Sequence, residues 1–465
     1  MNKQKTVPSS RLSRLTSLGS LFSKVAVNVV VDRAKQWSKG QSPSVKDLLI
    51  QPKNIESLAD KLSELRGAAM KVGQMLSMDA GDLLPPALSQ LLDKLRSNAV
   101  AMPHKQLIQE LEVQWGKDWL NHFAYFDLKP FSSASIGQVH IAHKDNGKKL
   151  AVKVQYKGVA KAISSDVDNV ALLLKLSGLL PKHINIDSLL EEAKAQLLME
   201  ANYLQEASFI NNFRDLMIDK EFVLPEVDKD LSTQSILVMN FIEGVPIDKV
   251  EALDQAVRNK VVESLIGLFF EELFSFQLMQ TDPNFANYLF QIDTGKIVLL
   301  DFGATRKIPT DISIGYLALI NSGVQKDENG MIKSARNIGF FKDDIDPAYL
   351  TQVLGIFKLA CEPLINDENY DFASSGLAER IKEKGLLINS QQEQWHTPPI
   401  DAVFIHRKLA GLYLLAAKLK ANINIHRLFD KYAILIHLNH RINRELLKWL
   451  GKIERHLKLL KHYID

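Results

Sequence analysis

Three shortages limit what this 465-residue chain can be: it has little cysteine, little net charge and no long apolar run near its start. The lone Cys361 excludes an intramolecular disulfide and favours a reducing compartment, and its apolar helical setting predicts a core position rather than a nucleophile. A formal net charge of +3 gives no case for nucleic acid binding. With 46% hydrophobic residues, the chain can bury a large core, and its length suggests two lobes or domains.

The first 39 residues are basic, with eight Lys or Arg against one acid, Asp32. Apolar side chains recur there at helical spacing, at Leu15, Leu18, Phe22, Val25 and Val29. A membrane-spanning helix needs about 20 apolar residues, whereas the segment 19–31 is shorter and contains Lys24. The pattern favours a helix that lies on a membrane surface, with a plain docking helix as the alternative.

The functional side chains are densest in the stretch Met279–Lys307. Asp282 is followed, after four intervening residues, by Asn287, and Asp301 opens the tripeptide Asp-Phe-Gly. The apolar run at 297–300 between them is typical of a buried strand. A loop, a strand and a second loop would deliver the three polar residues to one edge.

This arrangement is the one that phosphoryl transfer requires. A carboxylate at Asp282 would orient or deprotonate the acceptor, while Asn287 and Asp301 would hold magnesium on the nucleotide phosphates. The alternative is an Asp-rich turn followed by an unrelated strand. The spacing of Asp282 and Asn287 upstream of Asp-Phe-Gly favours the phosphoryl-transfer interpretation.

A kinase also needs an upstream lysine, and Lys153 is the candidate. Residues 138–143 and 150–155 alternate in polarity, and Asn146-Gly147 between them marks a β-hairpin. Lys153, in Ala-Val-Lys, matches the phosphate-binding lysine on the third strand of protein kinases.

The segment before the hairpin, 131–138, stands where kinases have a glycine-rich loop, yet it contains a single glycine. Because close approach of backbone to phosphate is easiest at glycine, we expect this loop to cradle ATP with hydroxyls or a tighter turn. The predicted contacts are Ser132, Ser133, Ala134 and Ser135.

Residues 160–214 are predicted to be helical, and Glu206 is the candidate partner of Lys153. Glu200, six residues earlier on the same predicted helix, should lie well round it. A strand at 236–239 is expected to run into the hinge between the lobes.

Adenine recognition is predicted at this hinge. The backbone of Asn240 and Phe241 would hydrogen-bond the adenine, and Met239 would lie behind its ring.

Five motifs together resemble the UbiB group of atypical kinases, called ADCK proteins in eukaryotes. They are Lys71-Val72-Gly73-Gln74, SASIGQVH, AVKVQY, QTDPNFAN and LLDFGATR, and the resemblance runs from about Ser10 to residue 421. It implies an α+β, protein-kinase-like fold with a small β-rich N-lobe, a helical C-lobe and ATP or ADP with Mg²⁺ as cofactors.

The implied organisation has four parts: a basic membrane-proximal segment, a helical extension with the Lys-x-Gly-Gln (KxGQ) motif, an N-lobe with a helical insertion, and a helical C-lobe. Their predicted bounds are 1–40, 41–128, 129–241 and 242–465. Because the resemblance begins near Ser10, a removable transit peptide is disfavoured.

By the same resemblance, Lys71, Gly73 and Gln74 form a helix that packs over the active site and blocks the place of a protein substrate. From the residues alone, a Lys and a Gln on a helix usually mark a solvated face. The family's Glu-x-Asp motif corresponds to Glu200-Ala201-Asn202 here, so Glu200 is expected to pair with Lys71, and Asn202 replaces the aspartate.

The function implied is an atypical kinase or ATPase that supports ubiquinone biosynthesis and acts on a small molecule or lipid, or on water, rather than on proteins. A catalytically weak, nucleotide-gated scaffold or lipid-handling module is the alternative. The implied partners are a nucleotide, a lipid or quinone precursor, quinone-biosynthesis proteins and a peripheral membrane contact, with a homodimer left open. The implied location is the inner face of a bacterial inner membrane, or the mitochondrial matrix side in a eukaryote.

The remainder of the chain is predicted to be mostly helical. The expected helices are 313–322, 347–361, 402–420 and 427–461, the last of them basic from Arg441 onward. The run His406-Arg407-Lys408 is expected to cap and solvate a packed helix.

Overall fold

The computed structural model describes residues 67–69, 71–73, 75, 101–177, 186–217, 221–341, 344–389, 399–430 and 434. The predicted membrane-surface segment 1–40 and the basic helix beyond Arg441 lie outside these residues. The described chain forms two compact units. The first runs up to Gly244 and includes Val298–Ala304, and the second comprises Val245–Ile297 and the chain from Thr305.

An antiparallel sheet in the order β1-β3-β4-β6 forms the centre of the first unit, with β2 paired to β3. Its strands are β1 (Tyr125–Phe126), β2 (Ser132–Ala134), β3 (Gly137–His143), β4 (Lys149–Gln155) and β6 (Ile236–Asn240), whereas the short strand β5 (Phe222–Val223) lies outside this sheet. The predicted hairpin is present, with Gly147 at a φ of 78° in its turn. Strand β1 lies before residue 129, where the N-lobe was predicted to begin. It nevertheless pairs with β3 and so belongs to the same sheet.

Four helices accompany this sheet: α1 (His104–Trp115), α2 (Val159–Ser177), α3 (Ile186–Glu200) and α4 (Tyr203–Leu216). The expectation that Glu200 and Glu206 share a helix is wrong. The chain breaks after Glu200, and Asn202 caps α4 by accepting a hydrogen bond from the Gln205 N–H at 3.3 Å. The polar N-cap at Asn202 therefore marks the start of a new helix, although the helical repeat of apolar residues suggested one continuous helix.

The second unit begins with β7 (Val245–Pro246) and α5 (Gln255–Phe270), which passes into a π-helical turn at Glu271–Phe276. Four strands follow: β8 (Leu278–Gln280), β9 (Tyr288–Gln291), β10 (Lys296–Leu299) and β11 (Thr305–Lys307). β10 is the predicted buried strand before Asp-Phe-Gly, and its last residues belong to the first unit. β11 pairs antiparallel with β8, and β7 with β9.

The described remainder of the second unit is mostly helical. Its helices are α6 (Thr310–Val324), α7 (Glu328–Ile338), α8 (Pro347–Cys361), α9 (Leu377–Asn389) and α10 (Ile400–Lys418), and β12 (Tyr370–Asp371) pairs with β13 (Asn422–Ile423). The helices α6, α8 and α10 were predicted, whereas α7 and α9 were not. In the described part of the chain, no helix is both long and apolar enough to cross a membrane.

Cys361 lies in the core, as the sequence predicts. It is 5% exposed, and a Cβ placed on Gly323 would lie 2.5 Å from its sulfur. Burial raises the pKa of the Cys361 thiol to about 12, so the nucleophilic thiolate is scarce at neutral pH.

Candidate active site

Lys153 lies on the central strand β4, between Val139 of β3 and Leu237 of β6. Its ammonium donates to both carboxylate oxygens of Glu206 on α4, each at 2.9 Å. Asp301 Oδ2 lies 3.6 Å from the same nitrogen. The pairing predicted from sequence, across 53 residues, is therefore present.

Burial and charge act against each other in this cluster. Burial alone would lower the pKa of Lys153, but the nearby carboxylates of Asp301 and Glu206 raise it well above its usual value. Burial also raises the pKa of Glu206 to about 7, although Lys153 opposes this. The result is a lysine that stays positively charged and fixed in orientation.

Asp301 is held as a carboxylate. Burial opposes its ionisation, but the charge of Lys153, the N–H of Gly303 at 2.9 Å and the charge of Lys71 outweigh burial and lower the pKa of Asp301. A Cβ on Gly303 would be tight against Asp301, 3.2 Å from its Oδ1, and in ordinary contact with Glu206 Oε2 at 3.5 Å.

The Lys71 segment is helical at residues 67–69, 71–73 and 75 and is buried rather than solvated. Lys71 and Glu200 form an ion pair of 2.7 Å, and their side chains are only 3% and 11% exposed. Gly67 packs against the segment 131–138, since a Cβ on Gly67 would lie 2.6 Å from the carbonyl oxygen of Ser135. Gly73 is buried, and Gln74 lies outside the described residues.

We predict that Lys71→Ala alters nucleotide affinity and costs about 3–5 kcal/mol of stability, because it leaves the buried Glu200 carboxylate unpaired. The substitution also removes a charge that favours ionised Asp301. Thermal melts and nucleotide titration test this.

The matched control is Lys194→Ala on α3, whose partners Asp168 and Glu191 are 65% and 73% exposed. Such surface pairs contribute about 0–1 kcal/mol. Equal behaviour of the two variants would contradict a special role for Lys71.

The predicted phosphate loop is a tight hairpin. Ser132, Ser133 and Ala134 form β2, and a two-residue turn that includes Ser135 leads into β3, with Ala134 paired to Gly137. A Cβ at Gly137 would lie 2.3 Å from the Val154 carbonyl oxygen. The only glycine of this segment thus stands where the backbone of β4 leaves no space.

At the predicted hinge, two backbone N–H groups are engaged within the chain. The N–H of Asn240 donates to the Glu226 carbonyl at 3.0 Å, and that of Phe241 donates to the Lys149 carbonyl at 2.9 Å. Met239 lies buried on β6 opposite Ala151. Backbone contacts to adenine near Asn240 and Phe241 stay a prediction, for groups other than these two N–H groups.

Asp282 and Asn287 belong to the second unit, in the loop between β8 and β9. The carbonyl oxygen of Asp282 accepts from Gln280 Nε2 at 3.0 Å and from Asn287 Nδ2 at 3.4 Å. The carboxylate of Asp282 accepts from the Asn284 N–H at 3.3 Å, and the residue is partly exposed, whereas Asn287 is 9% exposed. The loop is held by its own backbone and amides, with the Asp282 carboxylate accessible.

A buried ion pair that was not predicted from the sequence is linked to this loop through Gln280. Lys408 of α10 and Glu272 of the π-helical turn are paired, with side chains 3% and 1% exposed. The expectation that residues 406–408 solvate a helix is wrong for Lys408. Two features of the sequence could have indicated this pair. Lys408 is an ionisable residue on an otherwise apolar helical face, and Glu272 is another in the apolar run that continues α5.

His406 is likewise packed rather than solvated. Its ring stacks on Phe340 at 5.2 Å with an interplanar angle of 7°, and Nε2 lies 2.9 Å from the Tyr316 hydroxyl. Burial lowers the pKa of His406 from 6.5 to about 4.

Because the folded-state pKa of His406 is depressed, its contribution to stability is full above pH 6.5 and is lost as the pH falls toward 4. We predict that His406 contributes about 2 kcal/mol to the loss of stability between pH 7.5 and 5, so that the loss is smaller by that amount in His406→Phe. Urea midpoints at the two pH values measure this. His122→Gln, at an exposed position, should keep the wild-type loss.

The residues available fit a nucleotide with magnesium. Mg²⁺ takes hard oxygen ligands, commonly one or two carboxylates together with substrate phosphates. In the first unit, the ionised Asp301 is a carboxylate of this kind. In the second unit, Asn287 has an amide oxygen, and its amide nitrogen donates to the Asp282 carbonyl. Lys153 supplies a permanent charge for phosphate oxygens.

Comparison with known proteins gives consistent matches. Residues 94–335 match the ABC1 atypical kinase-like domain. The chain is 34% identical over 437 residues to the mitochondrial atypical kinase COQ8 of Saccharomyces cerevisiae, covering 92% of this chain and 86% of the yeast protein. It is also 34% identical to mitochondrial COQ8B of Rattus norvegicus, covering 92% and 81%.

Among solved structures, the Rv3197–erythromycin complex from Mycobacterium tuberculosis matches with a TM-score of 0.54 at 24% identity, covering 79% of this chain and 92% of that one. This likeness shows a shared fold.

Proposed function

The chain belongs to the ABC1, or UbiB, family of atypical kinases, and we propose that it binds Mg-ATP or Mg-ADP and transfers phosphate to a small molecule, a lipid or water in support of ubiquinone biosynthesis. The observation that carries this proposal is Lys153, held by both oxygens of Glu206 with Asp301 3.6 Å away. A buried lysine that stays positively charged suits the phosphates of a nucleotide, and an ionised carboxylate beside it suits a metal ion.

Each residue has a distinct part in the proposed reaction. Lys153 neutralises phosphate oxygens, and Asp301 with Asn287 holds Mg²⁺, which offsets charge that develops on the transferred phosphoryl group. Asp282 accepts the proton of the attacking hydroxyl or water. Ser132, Ser133, Ala134 and Ser135 line the phosphate side.

The adenine side and the KxGQ helix complete the proposed site. Met239 packs against the adenine base. Asn240 and Phe241 contact adenine through groups other than their N–H groups, which already donate hydrogen bonds within the chain. Lys71 and Gly73, with Gln74 beside them in sequence, and Glu200 close the site against a protein substrate. The tight Lys71–Glu200 pair supports this closure.

We place the protein at a membrane surface, on the matrix side in a mitochondrion or at the inner face of a bacterial inner membrane. The support is the basic, amphipathic pattern of residues 1–40 and the mitochondrial relatives. Basic residues contribute about 1 kcal/mol each against anionic lipid.

The test is phosphate release from Mg-ATP by the purified protein, with and without anionic vesicles and quinone precursors. We expect release above that of Lys153→Met and an increase with vesicles, and deletion of residues 1–36 should remove only the increase. Nucleotide binding without any release by the full chain, under every condition, would instead indicate a scaffold.

A further inference from the structure

Helix α10 contains a family-like stretch, from His406, that the proposed site does not use. Three of its residues, Asp401, Lys408 and Gly411, contact segments that flank or form the loop of Asp282. Separations of seven and three residues place all three on one face of the helix. One of these contacts is with the loop itself, and the other two are with segments that flank it.

The first contact is the buried pair of Lys408 and Glu272. Glu272 lies in the π-helical turn that replaces the last turns of α5. Such turns are rare and occur often at functional sites. The second carboxylate oxygen of Glu272 accepts the backbone N–H of Gln280 at 3.2 Å, so that Lys408 fixes the acceptor that holds β8.

Gln280 connects the Lys408–Glu272 pair to the loop of Asp282. Its amide nitrogen donates to the Asp282 carbonyl at 3.0 Å, and its amide oxygen accepts from the Tyr288 hydroxyl at 3.3 Å. The side chain of Gln280 thus joins the start of the loop to the strand that follows it. A shift of Glu272 is therefore transmitted to Asp282 through one residue.

The other two contacts are steric and ionic. A Cβ on Gly411 would lie 2.5 Å from Cβ of Pro283, the residue after Asp282. Asp401 pairs with Arg306 at 3.2 Å, on β11, which lies beside β8. Helix α10 therefore contacts the loop at Pro283 and β11 at Arg306, and it is linked to β8 through Glu272.

We propose that α10 positions the loop of Asp282 and Asn287, with Lys408 and Gly411 as positioning residues. The inference rests on the proposed function for its effect on turnover, but not for its effect on the loop. Lys408 acts through Glu272 and Gln280, and Gly411 allows Pro283 to sit against the helix. Neither residue belongs to the proposed nucleotide site.

The first test compares Lys408→Met with Lys418→Met, an exposed lysine of the same helix that pairs with Asp248 at 3.2 Å. Hydrogen exchange of the peptide 277–288 is measured without nucleotide, beside phosphate release. We expect faster exchange confined to that peptide and turnover lower by about tenfold to hundredfold, since small misplacements of reacting groups have effects of that order. Affinity for metal-free nucleotide should stay at the wild-type value.

The second test covers the case in which Lys408→Met does not fold. Gly411→Ala is compared with Gly315→Ala, whose added Cβ would meet Ile338 at 2.5 Å, the same crowding away from the loop. Both should lower the melting temperature, and only Gly411→Ala should lower turnover and loosen 277–288.

The proposal is overturned if exchange rises throughout the second unit, or if each variant matches its control in exchange and turnover. An inactive wild type would refute the proposed function alone, because the exchange measurement still decides the positioning role.

Discussion

Asp301→Asn is expected to lower the affinity for Mg-nucleotide by about a hundredfold or more, because a neutral amide is a much weaker magnesium ligand than a carboxylate. In the wild type, Lys153, Gly303 and Lys71 keep this carboxyl ionised. The variant retains the amide acceptor for the Gly303 N–H, so the local fold should survive. Thermal-shift titration with Mg-ATP measures the loss.

The control is Asp293→Asn, in the exposed turn before β10. It removes the same charge from the same stretch and should bind Mg-ATP as the wild type does. An undiminished thermal shift for Asp301→Asn would remove Asp301 from the metal site.

Asp282→Asn should have the opposite profile, with Mg-nucleotide binding retained and turnover lowered by about a hundredfold to ten-thousandfold, as is usual for loss of a general base. The loop is held through the Asp282 carbonyl, which the substitution leaves in place. Single-turnover phosphate release together with nucleotide titration separates the two quantities.

Asp311→Asn, at an exposed position in the first turn of α6, serves as the control for lost charge. If Asp282→Asn loses binding while its residual turnover is normal, the roles of Asp282 and Asp301 have been interchanged.

The strand and hairpin elements were predictable because their signals are local. Alternating polarity and Asn146-Gly147 predict the β3–β4 hairpin, and an apolar run predicts β10. Helix α7 was hidden by the turn-like Asn329-Gly330 pair inside it, although Asp327 provides an N-cap and Gly339 a left-handed C-cap.

Long-range pairs were predictable only where motif context supplied both partners. Lys153 with Glu206, and Lys71 with Glu200, came from the family pattern. The pair of Lys408 and Glu272 spans 136 residues and has no such pattern. Lys408 was therefore expected to be solvated, whereas in the folded chain it is buried with a carboxylate partner. The hydrogen bond from the Asn240 N–H to the Glu226 carbonyl is a similar case, since the local sequence does not show that these two segments are neighbours.

The break between α3 and α4 has a mechanical consequence. Because Glu200 ends α3 and Glu206 lies on α4, the carboxylates of the two ion pairs belong to separate helices, which the chain joins through Ala201-Asn202. A tilt of α3 about these two residues would open the Lys71–Glu200 pair without moving Glu206 away from Lys153. In one continuous helix, the two carboxylates would move together.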